Sequence, residues 1–305
     1  MPQEKTTLQK RLEAGRPIIL AEIAPPKSLD AGPMRVLARK FAGKVHALGI
    51  SDNRHDIRMS AMAAASIALA EKIEPVLHMV TRDRNRIALL SDCMGAHVLG
   101  IRNLLCTSGT HQSLLPAHDA KNVFDLDATL LLKSCRELEK HATCDIESVS
   151  DGQVFLCLGA VASPFADPLE LQLGRIAQKI SAGAQFLITP PIFDLDRFST
   201  WWQAVTKRGF HEKAAFIAGI KILSDASAAR EFAAKRPAPM VPDSVISRLA
   251  SKPDRQAGRA EGIAIAAEII RELGCVGGIR GFEIVCDDDL DAAMEVLDGL
   301  KSQLG

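Results

Sequence analysis

The chain has 305 residues, enough for two ordinary domains or for one large α/β barrel. Apolar residues make up 47% and charged residues 24%, and 37 Lys+Arg balance 37 Asp+Glu, which excludes the basic excess of a dedicated nucleic-acid binder. No apolar run approaches the ~18 residues that span a bilayer, and the polar start Met1-Pro2-Gln3-Glu4-Lys5 has no apolar signal region, so a cytoplasmic protein without a membrane partner is expected.

Taken in chain order, short apolar runs alternate with longer amphipathic ones. Pro17 to Ala24 reads as a strand stopped by Pro25-Pro26, and Asp30 to Phe41 as a helix with apolar positions at Met34, Leu37, Ala38 and Phe41. Lys44 to Ile50 is a second strand and the Ala-rich Met59 to Glu71 a helix. The cycle repeats with strands at Pro75–Val80, Ile101–Thr107, Val154–Ala160, Phe186–Thr189 and Ala215–Ile220. The helices that follow them are Asn85–Leu99, Asp127–His141, Pro168–Ala182, Asp196–Lys207 and Ser224–Ala234. Pro237 to Pro253 holds four prolines and reads as an irregular insertion with one short helix. Arg255 to Leu273 is a long helix, Gly277 to Cys286 the eighth strand, and Asp287 to Leu297 a last helix with Gly299 as its stop signal.

Eight β-α cycles over one continuous composition predict a single-domain (β/α)8 TIM barrel, with a doubly wound sheet as the alternative, since periodicity does not decide closure. In a barrel the chemistry belongs at the C-terminal ends of the strands. The polar residues there are Glu22, Ser51-Asp52-Asn53, His78, Thr81-Arg82-Asp83-Arg84, Ser108-Gly109-Thr110, Ser163, Thr189 with Asp194, Lys221 and Asp287-Asp288-Asp289.

Glu22 interrupts an apolar strand. A carboxylate there is costly to bury unless it is paired or protonated, so it reads as a general acid or as a structural ion pair with Arg84 or Lys221. His78, alone in an apolar strand, is a satisfied core or rim residue or a partner for a bound heterocycle or phosphate. The three arginines of Thr81-Arg82-Asp83-Arg84-Asn85-Arg86 can clamp phosphate; the other reading is a helix cap at Thr81 or Asp83 followed by solvated charge. Thr107-Ser108-Gly109-Thr110 lets backbone N–H groups approach a ligand closely but is no dinucleotide fingerprint. The acidic run Asp287-Asp288-Asp289 fits the first turn of a helix better than a cation site. The seven cysteines are scattered without a C-x-x-C pair, which argues against a disulfide framework or a thiolate metal centre. Cys106, Cys157 and Cys286 read as core residues, and no metal site is expected from the dispersed histidines.

In combination these residues resemble the methylenetetrahydrofolate reductases, flavin-dependent barrels that reduce a folate-bound methylene group to methyl. Glu22-Ile23-Ala24-Pro25-Pro26-Lys27 is similar to their E-x-x-P-P first strand, and Ser51-Asp52-Asn53, Arg58-Met59-Ser60 and Pro75-Val76-Leu77-His78 to their second and third. The runs from Thr81 to Leu89 and from Gly95 to Leu105 resemble the branch found in anaerobes, including acetogens. Ala182-Gly183-Ala184-Gln185-Phe186 to Phe193-Asp194 matches the sixth-strand region.

The resemblance implies that Glu22 is the acid that protonates the folate nitrogen. It places Ser51, Asp52, His78, Ser108, Gly109, Thr110, Phe124, Asp125, Ser163 and Lys179 at a flavin, expected to be FAD, with FMN as the alternative. Thr110, Thr189 and Pro190 fall at the substrate. His78, Gly109 and Lys179 keep the family's residue type. Thr110 stands where the family has an Asp, Pro190 and Ala228 where it has Gln, and Asp289 where an Arg holds the folate tail. These departures leave room for a divergent enzyme acting on another one-carbon substrate, or for a partner-dependent subunit of a reductase complex. The electron donor implied is NAD(P)H or a partner protein, in a homo- or hetero-oligomer.

Overall fold

A computed structural model of the chain describes residues 5–53, 57–114, 120–140, 154–234, 241–287 and 289–304. It opens with a helix, α1 (Thr7–Glu13), held by a reciprocal cap: the Thr6 hydroxyl accepts from Gln9 N–H at 3.1 Å and the Gln9 side chain accepts from Thr6 N–H at 3.0 Å. There follow β1 (Ile18–Ile23), α2 (Gly32–Lys40), β2 (Ala47–Ile50), α3 (Ala61–Ala70), β3 (Pro75–Val80), α4 (Arg86–Val98), β4 (Asn103–Thr107) and α5 (Ala128–Glu139). The second half runs β5 (Cys157–Val161), α6 (Leu169–Ser181), β6 (Phe186–Pro191), α7 (Leu195–Lys207), α8 (Phe210–Lys213), β7 (Ala215–Lys221) and α9 (Ala226–Ala234). It ends with α10 (Asp243–Ala250), α11 (Arg255–Gly274), β8 (Ile279–Val285) and α12 (Leu290–Leu304).

Each strand lies parallel to both neighbours, and β1 pairs with β8 as well as with β2, so the sheet closes into an eight-stranded barrel. Closure decides against the open doubly wound sheet. The strands are apolar on both faces because both are buried. Alternation splits them between two cores. Ile18 and Leu20 face the barrel interior with Ala47, Val76, Leu105, Cys157, Phe186, Ile188 and Ile217. Ile19, Ala21 and Ile23 face outward into the layer under the helices. Glu22 continues the inward series at the C-terminal end of β1.

Helix α1 is absent from the sequence reading. It presents only Leu8 and Leu12 to the interior cluster, too few positions for a periodic signal, and it forms because Leu8 stops the lower end of the barrel. The last helix runs through Gly299 to Leu304 instead of ending before it. Leu297 and Leu300 are buried on its inner face, and their packing outweighs the ~1 kcal/mol cost of a glycine in a helix. Helix α4 is capped by Asn85, whose side chain accepts from Ala88 N–H at 3.0 Å, not by Thr81 or Asp83. Of the insertion near 237–253, residues 235–240 lie outside the described residues, and the remainder carries α10. No helix among the described residues is long and apolar enough to cross a membrane.

Candidate active site

The C-terminal ends of the strands surround a cavity of about 670 Å³. Its wall takes Glu22 from β1, Ser51 and Asp52 after β2, His78 from β3, Thr107 to Thr110 at the end of β4, Thr189 and Pro190 from β6, and Glu283 from β8. Ser163 follows β5, and α6 adds Arg175, Gln178 and Lys179.

Glu22, His78 and Glu283 are buried, at 7%, 6% and 3% exposure. They converge because β2 carries no side chain where they meet. Gly49 pairs with Glu22 in the sheet register, and a Cβ at Gly49 would stand 3.1 Å from His78 Nε2 and 3.3 Å from Glu283 Oε1. The floor therefore holds two carboxyl groups and an imidazole around one bare stretch of backbone. Burial, then the negative charges of Asp287, Glu22 and Glu283, push the neighbouring Cys286 thiol up. Lys221, at the end of β7, brings a buried cation to the same end of the barrel, its Nζ 5.6 Å from the centre of the Phe232 ring.

The rim beside β3 is fixed by two arginines. Arg82, 2% exposed, donates to both carboxylate oxygens of Asp83 at 2.7 Å, to the Thr110 carbonyl at 3.0 Å and to the Asn53 carbonyl at 2.9 Å. Arg84 is spent on Asp52 and on Asp92, the latter at 2.6 Å, so it is not the ion-pair partner of Glu22. Asp52 also accepts from Val80 N–H at 3.1 Å; burial nevertheless holds its carboxyl above the usual range, outweighing Arg84. Arg82 and Arg84 are thus internal clamps, neither a phosphate grip nor solvated charge. Gly109 sits at φ +81°, and a Cβ there would meet Val80 Cγ1 at 2.6 Å, so only glycine lets the β4 loop lie this close to β3.

On the opposite wall, Lys179 donates to the Val161 carbonyl at 2.7 Å, and burial lowers its ammonium below the usual range. The Ser108 hydroxyl accepts from Ala128 N–H at 3.2 Å and so helps to start α5. Thr189 accepts from Gly219 N–H at 3.0 Å, where the β6–β7 register shifts between Ile188 and Pro191. Pro190 occupies the irregularity, where a residue without N–H leaves no ladder bond unmade.

Eleven of the expected site residues line the cavity: Glu22, Ser51, Asp52, His78, Ser108, Gly109, Thr110, Ser163, Lys179, Thr189 and Pro190. Phe124 and Asp125 do not. Phe124, at φ +45°, stacks on His111, and Asp125 accepts from Arg86 N–H at 2.7 Å. Asp289 is also apart from the cavity. It accepts from Ala292 N–H at 2.9 Å at the start of α12 and from Arg259 at 3.1 Å; burial works against ionisation, but these bonds hold its carboxyl below the usual range. Glu283, Arg175 and Gln178 are in the wall although the sequence reading passes over them. Glu283 carries the same signal as Glu22, a carboxylate inside an apolar strand.

A closed parallel barrel with buried acids, an imidazole and a lysine at its C-terminal mouth defines a (β/α)8 protein with an enzyme-type cleft. The model of the methylenetetrahydrofolate reductase family matches residues 7–301, and the chain belongs to that family, one of oxidoreductases. Solved structures share the fold. An uncharacterized protein from Clostridium thermocellum that binds two copies of 5-methyl-5,6,7,8-tetrahydrofolic acid is 14% identical over 97% of this chain and 99% of that chain, with a TM-score of 0.69. The coenzyme F420 dependent tetrahydromethanopterin reductase from Methanopyrus kandleri is 12% identical over 95% and 100%, with a TM-score of 0.56. An F420-dependent secondary alcohol dehydrogenase is 12% identical over 95% and 99%, at 0.51. At these identities the likeness is one of fold.

Proposed function

We propose that this chain is a flavin-dependent reductase that converts 5,10-methylenetetrahydrofolate to 5-methyltetrahydrofolate. The observation that carries the reading is Glu22, a buried carboxyl on the floor of the cleft, in a chain of the methylenetetrahydrofolate reductase family. The Clostridium thermocellum protein of the same fold binds the compound that would be the product.

The cleft fits a flavin. Its volume lies within the ~300–1,000 Å³ of ordinary small-molecule sites. Ser51, Asp52, His78, Ser108, Gly109, Thr110, Ser163 and Lys179 would hold the ring system and the start of its tail, with Arg175 available to a phosphate group. Phe124 and Asp125 would meet only the outer part of the tail. FAD is the expected form, with FMN carrying the same ring. When bound, the flavin supplies the hydride. The chain supplies the proton. Glu22, buried in the cleft wall, is the group placed to carry it. Glu22 gives that proton to a ring nitrogen of the substrate; the carbon–nitrogen bond of the five-membered ring breaks with its electron pair moving to that nitrogen, and the one-carbon unit becomes electrophilic. Glu283 offers a carboxylate that matches the paired N–H donors of a pterin ring.

A Glu22→Gln variant, assayed anaerobically with a reducing dye, tests the reading: turnover should fall about 10²–10⁴-fold while flavin absorbance is retained. Undiminished turnover with flavin bound removes the acid role. A purified protein that takes up neither FAD nor FMN overturns the flavin.

A second reading, another one-carbon substrate on the same scaffold, is favoured by Pro190 and Thr189. One has no N–H, and the other's hydroxyl already accepts from Gly219 N–H and keeps only its own hydrogen to donate, so these two side chains offer a pterin one donor at most. Calorimetry with the folate decides: tight binding supports the first reading, and no binding alongside a loaded flavin supports the second. The electron donor, NAD(P)H or a partner protein, follows from which of them bleaches the bound flavin.

A further inference from the structure

The opposite end of the barrel carries a second recess, of about 380 Å³. It lies among the last turn of α1, the segment leading into β1, the segment between α2 and β2, and the last turns of α12. Its charged and titratable lining is Arg11, Arg16, Lys44, His46 and Lys301, and it contains no acid. Only Lys44 has an acidic partner, Asp298 on α12. Arg11, Arg16 and Lys301 have none among the described residues. The Arg11 guanidinium is not loose: its Nε donates to the Pro17 carbonyl at 2.7 Å, which leaves its terminal nitrogens as free donors. Arg280 adds a further cation nearby, its Nη1 2.7 Å from where a Cβ on Gly15 would stand.

His46 completes the donor set. Its Nδ1 accepts from Ile19 N–H at 2.8 Å, which requires a neutral ring with its hydrogen on Nε2. Burial, then the charge of Arg11, holds the ring down to about 4, so it stays a neutral donor throughout the ordinary pH range. Burial and Arg16 also lower Arg11. Like charges gathered in one recess, with an acidic partner for Lys44 alone among the described residues, are an unfavourable arrangement that a bound anion relieves.

We propose that this recess is a binding site for a small, multiply charged oxyanion of the phosphate or polycarboxylate class. Arg11, Arg16 and Lys301 would supply charge and His46 a directed N–H. The recess is larger than one phosphate group needs, so pyrophosphate or a tricarboxylate should bind more tightly than inorganic phosphate. The site is separate from the cleft, being built at the N-terminal ends of the strands, and it does not rest on the proposed reaction.

The test is calorimetry and thermal unfolding of the full chain, titrated with pyrophosphate, citrate and inorganic phosphate at an ionic strength fixed with potassium chloride. Saturable binding is expected, weakened at least tenfold in an Arg16→Gln/Lys301→Gln variant and unchanged in an Arg175→Gln/Lys179→Met variant of the cleft. Both residues of the first pair are exposed, so that variant should melt like the parent without anion, and Arg16→Lys should restore most of the affinity. Preference for pyrophosphate or for citrate identifies the source of the oxyanion. No saturable effect beyond chloride, or affinity lost in the cleft variant and kept in the recess variant, overturns the proposal.

Discussion

The two ends of the barrel are built from the same strands and have opposite characters. At the lower end, Ile18 and Leu20 of β1 meet Leu8 in an interior cluster sealed from water. One step further along the same face, Glu22 meets His78 and Glu283 around the bare backbone of Gly49. Inside the lower end these side chains only pack, and each buried aliphatic group there contributes about 1.5–3 kcal/mol. The upper end accepts the cost of buried charge. A single strand can thus hold the barrel closed with its first half and present chemistry near its end.

The contrast can be broken at either end. The largest effect is expected at the upper end, where Glu22→Gln should remove about 10²–10⁴ of turnover in a steady-state assay and leave the urea midpoint nearly unchanged. A variant that lost stability in step with activity would make Glu22 a structural group. At the lower end, Leu8→Ala should cost about 2–5 kcal/mol in urea unfolding, with turnover per folded molecule preserved. An unchanged midpoint would mean that the barrel needs no stopper. Glu283→Gln should lower turnover about 10–100-fold, the loss of one hydrogen bond to a charged group (~1.5–3 kcal/mol), with a rise in KM for the folate that Glu22→Gln does not show. Equal effects on both constants in the two variants would merge their roles.

The smallest effect sharpens the lower end. The His46 ring is held down to about 4, against an ordinary 6.5, by burial and then by Arg11. Its preference for the neutral form therefore stabilises the fold fully above about 6.5, and that contribution is lost as the pH falls toward 4. His46→Gln keeps an acceptor for Ile19 N–H but does not titrate. Its stability should fall less steeply between these pH values, by about 1 kcal/mol once solvent screening of a half-exposed ring is allowed for. Parallel pH profiles for the two proteins would remove His46 from the acid response.

The alternation of strands and helices is legible in sequence because apolar runs and helical spacing are local properties. Closure is not, since it depends on β1 and β8 finding one another across nearly the whole chain. Glu22 is legible because a carboxylate breaks an apolar strand. Glu283, between Phe282 and Ile284, breaks one in the same way, but the acidic run just after it draws the eye to Asp289, which only opens a helix. Lys179 is reached through family resemblance; Arg175 lies four residues before it and three before Gln178 on one helical face, a spacing that could have found them. The arginines from 82 to 86 mislead for a physical reason. Composition reports charge but not where it is neutralised, and here Asp83 neutralises Arg82 while Asp52 and Asp92 neutralise Arg84 internally.

Arg82 has a consequence for how any guest is received. One guanidinium rivets the turn at Asn53 to the turn at Thr110, and its own carbonyl takes the Val123 N–H at 2.7 Å. Three segments are thereby fastened before anything arrives, so an incoming molecule spends little of its affinity on freezing them. The same fastening makes the gateway unforgiving. A guest whose outline differs must find its room on the β6 side, where no such rivet is seen among the described residues, and laboratory selection for altered substrates should accumulate its changes there first.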